Sequence, residues 1–142
     1  MLSKRILRTG LPIMAVFLLI STGCGTAQKK LSDAEIRALQ PSGQIADGVR
    51  VIKVEAKKYE FIPGMIVVKS GEKVRLEVTS TDVTHGFSVS EYKIDRRLNP
   101  NKTETIAFTA DKPGQYPVYC SVFCGIGHMN MEGTLIVIPA EN

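Results

Sequence analysis

From Val49 onward the chain reads in short apolar runs with a period of two. Val74, Leu76 and Val78 alternate with Arg75, Glu77 and Thr79, and Ile106 and Phe108 repeat the pattern. Such alternation puts one face of a strand in a core and the other in water. The runs VRVIKVEA, MIVVKS, KVRLEVTS, GFSVS, TETIAFTA, QYPVYC and GTLIVI are rich in β-branched residues. Gly71-Glu72, Asn99-Pro100 and Pro113-Gly114 separate them as turns. Seven such runs in roughly 90 residues predict an all-β fold, a sandwich with Greek-key connections.

Ahead of the strands the pattern differs. LSDAEIRALQP carries a capping box, Ser32 with Glu35, and a hydrophobic staple, Leu31 with Ile36. These predict a short helix that Pro41 stops. PSGQIADG reads as loop and GTAQKK as a tether. The first 23 residues join a basic MLSKRILR to an apolar LPIMAVFLLI. That apolar stretch is too short to span a membrane, which takes about 20 residues, and it suits a signal peptide. Small residues Ser21, Thr22 and Gly23 precede Cys24 in the manner of a bacterial lipobox, although Ser21 stands where a large aliphatic residue is usual. Cys24 is therefore expected to carry a lipid anchor at the extracytoplasmic (periplasmic) face of a membrane, with an uncleaved anchor or plain secretion as the alternatives. The expected organisation is a lipoprotein signal peptide over 1–23, a tether with a short helix over 24–48, and a β domain over 49–142.

Net charge changes with that reading. The whole chain carries +4, but Lys4, Arg5 and Arg8 fall in the leader, leaving 15 basic against 14 acidic residues. A domain near neutrality, without a block of like charge, does not suggest a nucleic-acid partner, and none is expected.

The candidate chemistry is concentrated in CSVFCGIGHMNM. Cys120, Cys124, His128 and Met131 stand in the spacing C-x3-C-x3-H-x2-M, and His85 lies about 35 residues earlier, between two expected strands. Thiolate, imidazole and thioether are soft to borderline ligands, which favour copper over magnesium, calcium or manganese. Zinc in a Cys2His2 site and a plain disulfide are the alternatives. One cysteine with two histidines and a methionine would describe a mononuclear blue-copper site. The second cysteine points instead to a binuclear centre, because two thiolates on one loop can each bridge two metals. Met129 lies off the spacing and is expected to be packing or surface. Gly125 and Gly127 let the loop bend tightly.

FIPGMIVVKSGEKV, STDVTHGFSV, PGQYPVYC and CSVFCGIGHMNMEGTLIV, within Tyr59 to Ile138, resemble the CuA-bearing cupredoxin domain of cytochrome c oxidase subunit II. The short ba3-type form is the nearest likeness, and nitrous oxide reductase carries a related domain. The resemblance implies two copper ions bridged by Cys120 and Cys124. His85 and His128 would each bind one copper. Met131 and the backbone carbonyl of Val122 would be the weak ligands. It further implies a cupredoxin-like sandwich and one-electron transfer, with cytochrome c or a similar small donor and a haem-bearing oxidase subunit I as partners. Oxygen chemistry would then belong to another subunit. A free-standing CuA carrier for another reductase, a copper-handling protein of oxidase assembly, and a disulfide-stapled binding module are the other functions to weigh. Two departures stand out. Val122 replaces an acidic residue common in the family, and the chain has no tryptophan, which many members place near the copper. Tyr59, Phe61 and Phe123 are the aromatic substitutes.

Overall fold

The computed structural model describes residues 30–140; the expected signal peptide and Cys24 lie outside the described residues. One short helix and ten strands follow in chain order: α1 (Asp33–Arg37), β1 (Gln44–Ala46), β2 (Val49–Lys57), β3 (Glu60–Ile62), β4 (Met65–Lys69), β5 (Lys73–Ser80), β6 (His85–Val89), β7 (Ile94–Leu98), β8 (Thr103–Thr109), β9 (Gly114–Tyr119) and β10 (Glu132–Ile138). They build two five-stranded sheets. The first runs β1-β2-β5-β8, with β3 also on β2; the second runs β4-β10-β9-β6-β7. Among the described residues no helix is long and apolar enough to cross a membrane.

The period of two sets the core. Ile52, Val54, Val74, Leu76, Val78 and Ile106 face inward from the first sheet, and Ile66, Val68, Phe87, Val118, Leu135 and Val137 meet them from the second. Burying each such side chain is worth about 1.5–3 kcal/mol. Phe61 and Phe87 meet edge to face across this core, 5.3 Å between ring centres.

All seven expected runs are strands, and three further strands were not expected. β1 occupies part of the stretch read as loop. The Asp47-Gly48 pair, with φ of 50° and 74°, turns it back onto β2 as a two-residue hairpin. Every residue of β1 is exposed, so no alternation marks it. β7 is an edge strand with Asp95, Arg96 and Arg97 outermost, and charges of this kind protect an open edge. β3 is three residues long and buries only Phe61.

Helix α1 forms as its caps predict. The Ser32 hydroxyl accepts from the Glu35 N–H, and the Glu35 carboxylate accepts from the Ser32 N–H. Ile36 seats the helix on Val67, Ile136 and Ile138 of the second sheet, with Leu31 and Leu39 beside it.

One ion pair is nearly buried at the edge of the sandwich. Arg50 donates to both carboxylate oxygens of Glu72, at 2.5 and 2.6 Å, and to the Ser42 carbonyl at 2.9 Å. The hydrogen bond from Arg50, helped by the Lys69 N–H, holds the Glu72 carboxyl below its ordinary range against the opposing effect of burial. A carboxyl depressed by folding adds stability above its unfolded pKa of about 4.3 and loses it as pH falls through the folded value. The melting temperature is expected to fall below about pH 5, and Glu72→Gln to flatten part of that fall. An equally steep fall in the variant would place the acid sensitivity elsewhere.

Candidate metal centre

β9 and β10 are antiparallel neighbours, and the loop 120–131 joins them at one end of the sandwich. The Cys120 N–H donates to the Met131 carbonyl at 3.1 Å, closing the base of the loop. Inside it, a 3-10 turn over His128–Asn130 is held by the His128 N–H to the Gly125 carbonyl and the Asn130 N–H to the Gly127 carbonyl, each 3.0 Å. His85 comes from the adjacent strand. It was expected in a turn between strands, but it is the first residue of β6 and fully buried. Pairing with Leu98 of β7 extends the strand to include it.

The donor atoms form a string. His85 Nδ1 lies 3.9 Å from Cys120 Sγ, Cys120 Sγ 3.7 Å from Cys124 Sγ, and Cys124 Sγ 3.8 Å from His128 Nδ1. Met131 Sδ is 3.8 Å from Cys124 Sγ, and the Val122 carbonyl oxygen is 3.1 Å from Cys120 Sγ. Two donors bound at about 2.0–2.3 Å to one ion in a tetrahedral arrangement stand about 3.5 Å apart. The spacing of these sulfur and nitrogen atoms is thus that of ligands sharing metal ions. The ligand atoms of His85, Cys120 and Cys124 alone lie within 4.8 Å of one another. Both cysteines are free, and their 3.7 Å separation is far from the roughly 2.05 Å of a disulfide.

The three sulfur donors are buried. Met131 is 1% exposed, Cys120 5% and Cys124 7%. Burial first, then the hydrogen bond and charge of Cys120, push the Cys124 thiol up to about 11. Binding a metal must displace that proton, so affinity is expected to fall as pH falls. Asp82 is hydrogen-bonded to the His85 ring at 2.7 Å. Burial works to raise its carboxyl, but the bonds from His85 and from the Lys58 and Val83 N–H groups outweigh it and hold it down to about 2.

The three aromatic residues separate cleanly. Phe61 belongs to the core. Tyr59 is the floor of the loop: a Cβ on Gly125 would lie 2.5 Å from Tyr59 Oη, and one on Gly127 2.5 Å from Tyr59 Cγ. Close approach to this ring, with φ of 128° at Gly125, explains both glycines. Phe123 is 77% exposed and its ring lies 5.6 Å from that of His128. Ile126 and Met129 are exposed beside it, so Met129 is a surface residue. Asp82 and Gly86 escaped the sequence reading, although Asp82 stands three residues before His85 in a D-x-x-H pattern that a search for carboxylate–histidine pairs would find.

Two adjacent thiols with an imidazole at each end and a buried thioether beside one of them, at one end of a β-sandwich, fit copper. This site and fold define a copper-binding type of β-sandwich domain. The chain belongs to the cupredoxin-like domain family, which it matches over residues 13–137. It is similar to cytochrome c oxidase subunit 2 of Thermus thermophilus, 36% identical over 86 residues that cover 61% of this chain and 64% of that subunit. Nitrous-oxide reductase of Stutzerimonas stutzeri is 42% identical over 77 residues, 51% of this chain but 12% of the reductase. The chain thus spans less than two thirds of these relatives' own lengths. In three dimensions it resembles a chain of a heme-copper terminal oxidase dimer, with a TM-score of 0.61, 28% identity and 77% of each chain covered.

Methionine 131 gives a direct test of ligand strength. Met131→Leu is close to isosteric, so the fold is expected to cost less than about 1.5 kcal/mol. Copper should remain bound with a shifted reduction potential, because a thioether would be a weak ligand that tunes more than it holds. Loss of copper, measured by metal analysis, would make Met131 a principal ligand.

Proposed function

We propose that this chain is a one-electron carrier that holds a two-copper CuA centre and serves a haem-copper terminal oxidase. The observation that carries the reading is the donor string, a histidine at each end of two adjacent cysteine sulfurs. Two coppers held by these residues would supply a reversible one-electron couple. Cys120 and Cys124 would be the bridges and His85 and His128 the outer ligands. Met131 and the Val122 carbonyl would complete the two coordination shells. The buried strands around them keep water out and restrain the ligands, so little rearrangement accompanies electron transfer.

The exposed rim agrees with a passing redox partner. Phe123 lies against the half-buried His128, and the same loop exposes Ile126 and Met129, an apolar surface suited to the exposed haem edge of cytochrome c or a similar small donor. A haem-bearing oxidase subunit I is the proposed acceptor, by analogy with the subunit 2 relatives. Lipidation of Cys24 would tether the domain at the extracytoplasmic face of the membrane, with 1–23 as the leader.

The test is to reduce the thiols, add copper, count the ions and record the paramagnetic resonance spectrum. Two coppers sharing one electron equally should give seven hyperfine lines, since two equivalent spin-three-halves nuclei split a line that way. One copper with four lines would make the site mononuclear and remove the reason for placing it in this electron path.

A further inference from the structure

The bend between β5 and β6 places one carboxylate between His85 and the backbone that leads to Tyr59. Asp82 Oδ1 lies 2.7 Å from His85 Nε2 and accepts from the Val83 N–H at 2.6 Å. Its other oxygen, Oδ2, accepts from the Lys58 N–H at 2.8 Å. Lys58 precedes Tyr59, whose ring carries Gly125 and Gly127 of the loop that bears Cys124 and His128. The Ser80 hydroxyl donates to the Val83 carbonyl and pins the same bend.

His85 is buried completely, so water does not compete for its ring nitrogens. Its Nε2 meets Asp82 and its Nδ1 faces Cys120 Sγ. A carboxylate can only accept, so the proton must sit on Nε2, leaving the Nδ1 lone pair directed toward the sulfurs. We propose that Asp82 is the positioning residue of this centre. It selects Nδ1 as the coordinating atom of His85 and, through Lys58, sets the seat of Tyr59 beneath the opposite loop. The inference rests on the copper reading above and adds to it the residue that orients a ligand. A carboxylate drawing on the Nε2 proton also makes the imidazole a stronger donor, which favours the oxidised centre.

The first measurement needs no variant and no metal. Nitrogen-15 shifts of the His85 ring, recorded at about pH 8 where an ordinary imidazole is neutral, are expected to place the proton on Nε2, in slow exchange with water. A proton on Nδ1 overturns the inference. The second measurement compares copper-loaded parent protein with Asp82→Asn and Asp82→Glu. Asp82→Asn is expected to raise the reduction potential and weaken copper affinity about 10–100-fold, with Asp82→Glu recovering part of both. A variant equal to the parent in potential and affinity overturns the inference while leaving the copper reading intact. Failure of the parent to bind copper sinks the copper reading instead, and the ring-nitrogen measurement still decides whether Asp82 sets the tautomer. That measurement also remains decisive if Asp82→Asn fails to fold.

Discussion

Cys124→Ser is expected to abolish the two-copper signature and to leave at most one ion bound. Cys124 Sγ touches three other donor atoms: Cys120 Sγ, His128 Nδ1 and Met131 Sδ, all within 3.7–3.8 Å. Cys120 Sγ likewise has three: His85 Nδ1, Cys124 Sγ and the Val122 carbonyl oxygen. A serine hydroxyl in its place is harder, stays protonated at neutral pH and does not bridge two soft ions, so His128 and Met131 lose the sulfur that joins them to Cys120. Serine is close to cysteine in size, and an unpaired buried hydroxyl costs about 1–3 kcal/mol. A sandwich of ten strands tolerates this. The metal-free variant should therefore keep the parent's far-ultraviolet circular dichroism while the loaded variant loses the seven-line spectrum. Cys120→Ser should act in the same direction, since Cys120 lies between His85 and Cys124. An unchanged optical and paramagnetic spectrum in either variant would rule out bridging by that residue.

The same residues show what could be read from the chain alone. C-x3-C-x3-H-x2-M is a local pattern, fixed by one loop, and local spacing survives translation into geometry. Strands with a buried and a solvated face were equally legible, because burial on one side writes a period of two. What stayed hidden lacks that signature. β1 is exposed on both faces and β7 is charged at its centre, so neither alternates. His85 looked like a turn residue because the apolar run starts after it at Gly86, yet pairing with Leu98 makes it strand. Pairing between strands is a property of two segments and cannot be read from one. The same limit hid the contact of Asp82 with Lys58 and that of Tyr59 with the loop, which join residues far apart in the chain.

Gly86→Ala tests such a non-local constraint, and its effect is expected to be large although Gly86 offers no donor side chain to the metal. The residue is buried in β6, and its N–H points at Cys120 Sγ at 3.4 Å. A Cβ there would lie 2.6 Å from the Ser121 nitrogen and 2.7 Å from the Val122 nitrogen. Those are backbone atoms, so no side-chain rotation relieves the contact. Either β6 or the segment after β9 must move, and that segment carries Cys120 and the Val122 carbonyl. Overpacking of this kind costs about 1–3 kcal/mol. Gly64→Ala is the matching control, because its added methyl would meet only the Phe61 carbonyl, at 3.5 Å. Gly86→Ala should melt several degrees below Gly64→Ala when metal-free, and its copper-loaded absorption should shift because the sulfur loses the geometry of its N–H donor. Equal melting and identical spectra for the two variants would show that the loop yields without cost, and the close packing of β6 on the metal loop would then have no part in holding the centre.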